Sequence, residues 1–194
     1  MTQTFVQQLN PKHFWISTDL ELLPSYEESG DRYEIINGEL FVTRAPHWKH
    51  QSTCGKIFAL LDKWSTETGL GQPSIAPGII FEGGDNVIPD LAWASDQVLA
   101  SMDQAGHLTS APELVIEVLS SGVENERRDK VIKLKLYADQ GVQEYWLVDW
   151  RMQQVEIYRL NQQELKLVKR LTINEKISTP LLQNFSCNLE QFFV

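Results

Sequence analysis

The chain has 194 residues, of which 42% are hydrophobic, so it can bury a sizeable core without disulfides or structural metals. Its formal net charge of −9 argues against a general electrostatic attraction to nucleic acid or to an anionic membrane, but it does not exclude a local basic patch. No apolar run approaches the roughly 18 residues of a membrane span. We therefore expect one domain, 1–194, with no membrane-embedded part.

The cysteine pattern and the amino terminus both indicate a cytoplasmic protein. The first ten residues, MTQTFVQQLN, have neither the basic region nor the apolar region of a secretory signal. Cys54 and Cys187 lie far apart and match neither a disulfide framework nor a zinc motif. We expect both to be buried free thiols in a reducing compartment.

A short helix and a hairpin are predicted near the start of the chain. Ser17 or Thr18 can cap a helix that begins just before a cluster of leucines. In RYEIINGELFVTR, Asn37-Gly38 separates two alternating runs, which is the strongest short-range signal for a β-hairpin. The pattern places its strands at about 32–36 and 39–44.

A long amphipathic helix is predicted between His47 and Gly69. The apolar residues recur at helical spacing, and Gly69 with Gly71 supplies the stop signal. The inward stripe contains His50, Cys54, Ile57 and Leu61.

Three strands are predicted in the middle of the chain. SIAPGIIFE and VIPDLAWAS are each expected to form one strand, with GGDN as the turn between them. After a loop rich in small and polar residues, ELVIEVLS is a nearly continuous apolar run. Such a run is typical of a central strand that is covered on both faces.

A second helix is predicted at about 124–140, capped by Ser120 or Ser121 and closed by Gly141. Its expected apolar stripe contains Val131, Leu134 and Ala138. A further core strand is predicted for QEYWLVD, and an antiparallel hairpin is predicted for QQVEIYRL and ELKLVKRLTI. A short element packed on the core is predicted for NFSCNLEQFFV.

This order of elements predicts an α/β fold with a central mixed sheet and helices on its two sides. Strands and helices do not alternate regularly enough for a doubly wound sheet or a barrel. The expected core spans about 17–150, and the C-terminal hairpin and tail span 151–194.

Glu117 is the one polar residue in the middle of ELVIEVLS. Alternation puts it on the same face as Val115 and Leu119. An ionised carboxylate in apolar surroundings is costly unless it is paired, hydrogen-bonded or metal-bound. Glu117 therefore either reaches solvent or a nearby Arg or Lys at the strand end, or belongs to a polar site.

Two further acids lie in comparable settings. Asp90 follows Pro89 between apolar residues, and by itself the dipeptide reads as an ordinary turn. Glu34 alternates with Tyr33 and Ile35, so by itself it reads as an exposed strand residue. If the strands of Asp90 and Glu117 pair, however, both carboxylates can reach one hard cation such as Mg²⁺ or Mn²⁺.

The helix after ELVIEVLS supplies a candidate cation for phosphate chemistry. Lys133 shares a helix face with Asp129 and Tyr137, at i−4 and i+4. One interpretation is a solvated face with an Asp–Lys pair. The other is that Lys133 leans toward the sheet and stabilises charge on a scissile phosphate.

Several segments together resemble the Uma-two family, a group of cyanobacterial endonuclease-like proteins in the PD-(D/E)XK nuclease superfamily. The resemblance covers the chain from about residue 17 to its end. The segments that carry it are RYEIINGEL, IPDLAWAS, APELVIEVLSS, RRDKVIKLKLYADQGVQEYWLVD and NFSCNLEQFF.

The resemblance implies roles for particular residues. The family's Pro-Asp matches Pro89-Asp90, the acid of its central strand matches Glu117, and the acid of its hairpin matches Glu34. Asp90 and Glu117, with the carbonyl of Val118, would hold the metal. Glu34 would orient the metal's water or complete a second metal site.

The lysine departs from the commonest superfamily pattern. That pattern has a lysine two residues after the acid, where this chain has Leu119. The chain resembles branches in which the lysine has moved to the next helix, and the D-x-x-x-K-L-x-x-Y run there matches Asp129, Lys133, Leu134 and Tyr137. Tyr137 is a candidate auxiliary residue.

His50 matches a histidine that family members carry at the start of the first long helix. It is a second candidate auxiliary residue, and the alternative is a buried, hydrogen-bonded histidine without a role in the site. A metal pair formed by His47 and His50 is disfavoured.

The implied function is Mg²⁺- or Mn²⁺-dependent hydrolysis of phosphodiester bonds in nucleic acid, with DNA expected, by a homodimer. The alternatives are a catalytically inactive interaction or nucleic-acid-binding module that keeps the fold, and a nuclease subunit that acts only beside another chain. The net charge of −9 favours the inactive module, whereas the retained acids favour the enzyme. There is no P-loop, no G-x-S-x-G motif and no H-E-x-x-H motif in the sequence.

Overall fold

The computed structural model describes residues 14–193, apart from the side chains of residues 26 and 27. The prediction about the first ten residues therefore lies outside the described part. Within that part, no helix is both long and apolar enough to traverse a bilayer. The two cysteines are free and buried, as expected.

The described elements are twelve strands and several helices. The strands are β1 (Arg32–Ile36), β2 (Glu39–Thr43), β3 (Gly71–Ile75), β4 (Ile79–Ile80), β5 (Asn86–Val87), β6 (Leu91–Ser95), β7 (Leu114–Val118), β8 (Glu144–Asp149), β9 (Gln154–Asn161), β10 (Glu164–Thr172), β11 (Lys176–Ser178) and β12 (Ser186–Asn188). The α-helices are α1 (Tyr26–Ser29), α2 (Trp48–Thr68), α3 (Asp96–Leu99), α4 (Val123–Arg127) and α5 (Leu134–Asp139). A π-helical segment, Arg128–Lys133, joins α4 to α5, and 3₁₀-helices lie at Ser17–Leu22 and Leu189–Phe192.

The central sheet has six strands in the order β10-β9-β8-β7-β6-β3. Strands β7 and β8 are parallel, and the other neighbours are antiparallel. The predicted mixed central sheet is thus confirmed. A second sheet, β2-β1-β5-β4, carries the predicted N-terminal hairpin, and β11 pairs with β12 near the C-terminus.

The hairpin turn follows from its two residues. Asn37 and Gly38 have φ angles of 51° and 76°. Both central residues of a type I′ turn need positive φ, which Asn and Gly tolerate. The prediction of one strand each for SIAPGIIFE and VIPDLAWAS is wrong, because the chain crosses between the two sheets within both segments. A bend at Ala76, with φ 50°, separates β3 from β4, and Ile88–Asp90 separate β5 from β6.

The central strand β7 is covered on both faces, as its apolar run predicts. Ile116 and Val118 belong to the core cluster that contains Ile57 and Leu61 of α2. Val115 belongs to the opposite cluster, which contains residues of α5. Glu117 shares the face of Val115 and is also buried.

The helix after β7 is formed as predicted, but its inward face is different. Val131 is 58% exposed, whereas Lys133 is 1% exposed. Of the expected apolar stripe, Val131 is therefore wrong, whereas Ala138 is buried in the core and Leu134 packs against it. Asp129, Lys133 and Tyr137, which share a face as their spacing predicts, are buried as well.

The predicted capping residues are wrong for both helices. Ile16 precedes the first 3₁₀-helix, and its backbone N–H donates to Asp19 Oδ2 at 2.9 Å. Gly122, with φ 117°, precedes α4, so neither Ser120 nor Ser121 is the cap. Gly69 ends α2 as expected, in the left-handed conformation at φ 66°.

Gly71 and Gly55 give opposite expectations for substitution by alanine. A Cβ on Gly71 would lie 2.3 Å from the Ala94 carbonyl oxygen, in the strand paired with β3, and φ there is 154°. We expect Gly71→Ala to cost about 1–3 kcal/mol through overpacking. Gly55 lies within α2 with open space around it, so Gly55→Ala should stabilise by about 0.5–1 kcal/mol. Urea unfolding of both variants tests the fold, and a neutral Gly71→Ala would contradict the β3–β6 pairing.

Candidate active site

The pairing of β6 with β7 brings Asp90 and Glu117 together. Leu91 lies opposite Ile116 in the antiparallel register, so the preceding Asp90 lies opposite Glu117. The Asp90 backbone N–H lies 3.3 Å from Glu117 Oε2. The Val118 backbone N–H donates to Asp90 Oδ2 at 2.8 Å. The two predicted acids therefore share one location at the ends of adjacent central strands.

Lys133 reaches this location from the π-helical segment. Its Nζ lies 2.8 Å from Glu117 Oε1 and 2.8 Å from Glu34 Oε1. The Tyr137 hydroxyl donates to the same Glu117 oxygen at 3.0 Å. The alternative of a solvated Lys133 is therefore wrong, and its side chain leans toward the sheet.

Glu34 is buried, and the interpretation of an exposed strand residue is wrong. Its side chain is 3% exposed. Glu34 Oε1 accepts a hydrogen bond from the Ile88 backbone N–H at 2.9 Å as well as the Lys133 contact. Alternation failed here because β1 is covered on both sides, with Ile35 packed in a separate cluster beside Trp15 and Leu23.

Arg128 is a cleft residue that sequence reasoning did not single out. It is buried, its Nε donates to Asp129 Oδ1 at 3.0 Å, and its Nη1 lies 3.9 Å from Glu34 Oε2. Asp129 thus has Arg128 as its nearest cationic partner. The only available signal was the run of basic residues in this helix, which does not indicate which of them face inward.

His50 lies beside Asp90 on the α2 side of the sheet. Its Nε2 is 3.1 Å from Asp90 Oδ2, and its ring is buried. Burial alone would lower the pKa of His50, but the hydrogen bond and charge of Asp90 raise it, and the Val118 backbone adds to this effect. Burial likewise works to raise the pKa of Asp90, but His50 lowers it below its ordinary value. Each residue thus favours the charged form of the other at the edge of the site.

The site contains more negative than positive charge. Among the described residues, the carboxyls of Glu34, Asp90, Glu117 and Asp129 surround the permanent cations Lys133 and Arg128. Burial, partly offset by Lys133, and the neighbouring carboxylates raise the pKa of Glu117 to about 8. Burial works to lower the pKa of Lys133, but the same carboxylates raise it above its ordinary value. The lysine therefore keeps its proton, and Glu117 binds a proton more readily than an ordinary glutamate does.

This donor set fits a hard divalent cation. Asp90, Glu117 and the Val118 main chain provide oxygen ligands of the kind that Mg²⁺ and Mn²⁺ prefer. A dication would supply the missing positive charge. The cleft they line has a volume of about 40 Å³, which exceeds the space that one water molecule needs.

Basic side chains line the cleft together with the acids. Among the described residues, those lining it include Arg32, Arg44, Arg128 and Lys133 as well as the three predicted acids. The protein as a whole has a net charge of −9, whereas these four cations lie beside the acids of the cleft. This local arrangement can accept a phosphate group near the acids.

Comparison with known proteins gives a family match that covers most of the chain. A family model described as "Uma2: Putative restriction endonuclease" matches residues 18–190. No curated protein matches significantly. A solved structure described as "a putative nuclease belonging to DUF820 from Anabaena variabilis" superposes with a TM-score of 0.72 and 18% identity, covering 92% of this chain and 97% of that chain. At this identity the similarity shows a common fold.

A second structure, the type IIG restriction endonuclease BpuSI, gives a TM-score of 0.37 and 12% identity. The match covers 74% of this chain and 14% of that chain. A similarity this low supports no argument about the fold or the site.

Removal of the Lys133 ammonium group should destabilise the fold strongly. Lys133→Met leaves Glu34 and Glu117 buried without their shared cation, and we expect a cost of about 3–5 kcal/mol near neutral pH. Lys130→Met is the matched control, because Lys130 forms an exposed pair with Glu126 and should cost at most about 0.5 kcal/mol.

The loss of stability caused by Lys133→Met should also depend on pH. A carboxyl whose pKa is raised on folding, from 4.5 to about 8 for Glu117, stabilises the fold at low pH and loses this contribution as pH rises through the folded value. Lys133 lowers the pKa of Glu117, so its removal raises that pKa further and makes the loss of stability at high pH larger. Lys133→Met should therefore be less destabilising at pH 5 than at pH 8. Urea unfolding of metal-free protein at both values measures this difference, and a cost independent of pH would contradict the charge arrangement.

Proposed function

Because the chain belongs to the Uma2 family, whose model matches residues 18–190, we propose that it is a metal-dependent endonuclease that hydrolyses phosphodiester bonds of DNA. The observation that carries the proposal is the convergence of Asp90, Glu117 and Lys133 from three separate elements. We further propose that residues 1–194 form one nuclease-like domain that acts as a homodimer.

Asp90, Glu117 and the Val118 carbonyl are proposed to hold Mg²⁺ or Mn²⁺. A cation held by such ligands lowers the pKa of a bound water and polarises the phosphodiester. His50 positions Asp90 through the contact between Nε2 and Oδ2. Tyr137 fixes Glu117 through its hydroxyl, so the auxiliary roles expected for both residues have a physical basis.

Lys133 is proposed to stabilise negative charge on the phosphate during the reaction. Its ammonium group is fixed by Glu34 and Glu117, both at 2.8 Å, so it is preorganised before substrate binds. Glu34 is therefore proposed to position Lys133. This role accounts for its burial, since Oε1 accepts a hydrogen bond from the Ile88 backbone N–H and contacts Lys133.

The arginines around the cleft support the approach of a polyanion. Arg32, Arg44 and Arg128 line the cleft, and charge near a binding site affects an approaching anion more than distant surface charge, which salt screens. The net charge of −9 remains the observation that favours the alternative, an inactive nuclease-fold module. The two functions differ in whether a divalent cation binds and whether cleavage follows.

Divalent cations should stabilise the protein. A cation that binds only the folded state adds about 2.7 kcal/mol at 100 times its Kd, and each kcal/mol raises Tm by about 2–4 °C for a chain of this size. The shift should be larger at pH 8 than at pH 5, because the proton on Glu117 competes with the cation. Thermal unfolding with Mg²⁺ or Mn²⁺ measures it. Glu117→Gln should remove the shift, whereas Glu164→Gln, at an exposed acid, should keep it.

Cleavage should require the same residues. Plasmid, single-stranded DNA and RNA are each incubated with the protein and with Mg²⁺ or Mn²⁺, and we expect cleavage of DNA. Glu117→Gln and Lys133→Met should each reduce the rate by at least about 100-fold. Lys130→Met and Glu164→Gln, both outside the cleft, should cleave like the unmodified protein.

The controls separate the two candidate functions. Equal cleavage by the unmodified and Glu117→Gln proteins would place the activity elsewhere. A clear metal-dependent shift without cleavage of any substrate would favour the inactive module. Folding of Lys133→Met is checked by circular dichroism, so that loss of structure is not taken for loss of chemistry.

A further inference from the structure

The thiol of Cys54 lies next to the imidazole of His50 in α2. Cys54 Sγ is 3.7 Å from His50 Nδ1, and both residues are buried on the inward face of α2. They are four residues apart, so one helical turn places them side by side. His50, Cys54 and Asp90 each offer a ligand atom, and these three atoms all lie within 4.8 Å of one another.

The spacing of the thiol and the imidazole suits a tetrahedral metal site. With bonds of about 2.3 Å to sulfur and 2.1 Å to nitrogen, two ligands of one tetrahedral Zn²⁺ lie about 3.6 Å apart. The observed separation of 3.7 Å between Sγ and Nδ1 is close to this value, but Nδ1 also contacts Gln51 Oε1 at 3.1 Å, and Asp90 Oδ2 lies at the other ring nitrogen, Nε2, also at 3.1 Å. One cation can use only one of these nitrogens. A shared cation would therefore bind Nε2 and Asp90, and the Cys54 thiol, one of three ligand groups that lie within 4.8 Å of one another, would turn toward it. Both His50 and Asp90 line the cleft, which leaves a fourth position for water.

We propose that His50, Cys54 and Asp90 form a site for Zn²⁺ and similar thiol-binding cations, and that its occupation inhibits the enzyme. Binding at the three residues does not depend on the proposed function, but the inhibition rests on it. The mechanism is exclusion, because Asp90 belongs to both ligand sets and cannot complete both.

The two sites differ in the chemistry of their ligands. Mg²⁺ and Mn²⁺ select carboxylate, carbonyl and water oxygens, whereas Zn²⁺ and Cd²⁺ also select thiolate and imidazole. Cys54 consequently has no part in binding the activating cation. Cys54 also lies in the core cluster of α2, so its replacement by serine, which keeps its size, is the appropriate change.

Titration of the metal-free protein with Cd²⁺ tests the site by a sulfur-to-metal charge-transfer band in the ultraviolet. The unmodified protein should show the band at about one Cd²⁺ per chain. Cys54→Ser should lose it and bind Zn²⁺ at least about 100-fold more weakly by calorimetry. Cys187→Ser is the matched control, because it removes the other buried cysteine and should leave the band intact.

Asp90→Asn adds a test of the third ligand and should weaken binding of Cd²⁺ while leaving Cys54 in place. Should Cys54→Ser unfold, Cys54→Ala provides the same comparison, and circular dichroism confirms which variant is folded. A band that persists without Cys54, or one that disappears without Cys187, would overturn the site.

An activity measurement tests the inhibition separately. Zn²⁺ should inhibit Mn²⁺-supported cleavage by the unmodified protein and by Cys187→Ser, and Cys54→Ser should need at least about 100-fold more Zn²⁺ for the same inhibition. Equal inhibition of the Cys54→Ser protein would overturn the regulatory proposal. If no substrate is cleaved under any condition, the proposed function fails, whereas the Cd²⁺ titration still decides whether the three residues bind metal.

Discussion

The Lys133 ammonium group is the contact on which the site depends. It lies 2.8 Å from Glu117 on the central sheet and 2.8 Å from Glu34 on the second sheet. A buried carboxylate without a partner is far too costly to keep ionised, and a buried lysine has the same problem. The three residues are therefore tolerable only together, and their joint requirement fixes how the two sheets and the helix after β7 are placed.

Even with Lys133 present, the charges of the site do not balance. Asp90 and Asp129 add negative charge to that of Glu34 and Glu117, and Arg128 and His50 compensate only part of it. The raised pKa of Glu117, at about 8, is the result of this excess together with burial. An arrangement that is unfavourable for the empty fold is suited to a cation, because ligand binding then relieves the repulsion that folding creates. The empty fold thus favours the protonated form of Glu117, whereas the proposed chemistry needs its carboxylate to bind a cation.

The two proposed cation sites illustrate how ligand type can separate metals within one small volume. Oxygen ligands lie on the sheet side of Asp90, and the imidazole and thiol lie on the α2 side. Asp90 is common to both, so its orientation decides which set is complete. Because the sulfur and the imidazole belong to one helix at a spacing of four residues, their distance is fixed by helix geometry and not by the loop that carries Asp90.

Much of this protein was determined by local sequence. Asn37-Gly38 fixes the hairpin turn, the apolar run around Glu117 fixes a central strand, and the helical stripe containing His50 and Cys54 fixes the inward face of α2. The unusual setting of Glu117 within an apolar strand was visible for the same reason, since two-residue alternation is a property of the strand itself.

Only the tertiary structure decided how the functional side chains meet. The burial of Glu34 depends on the helix after β7, whose Lys133 and Arg128 contact the carboxylate that would otherwise be solvent-exposed. The pattern of the helix after β7 left open whether Lys133 faces solvent or the sheet, and only its contacts with Glu34 and Glu117 decide this. The position of Asp90 opposite Glu117 depends on the register between β6 and β7. Each of these features depends on contacts between segments that are distant in sequence. The residue pattern of one segment does not show which distant segment will pack against it.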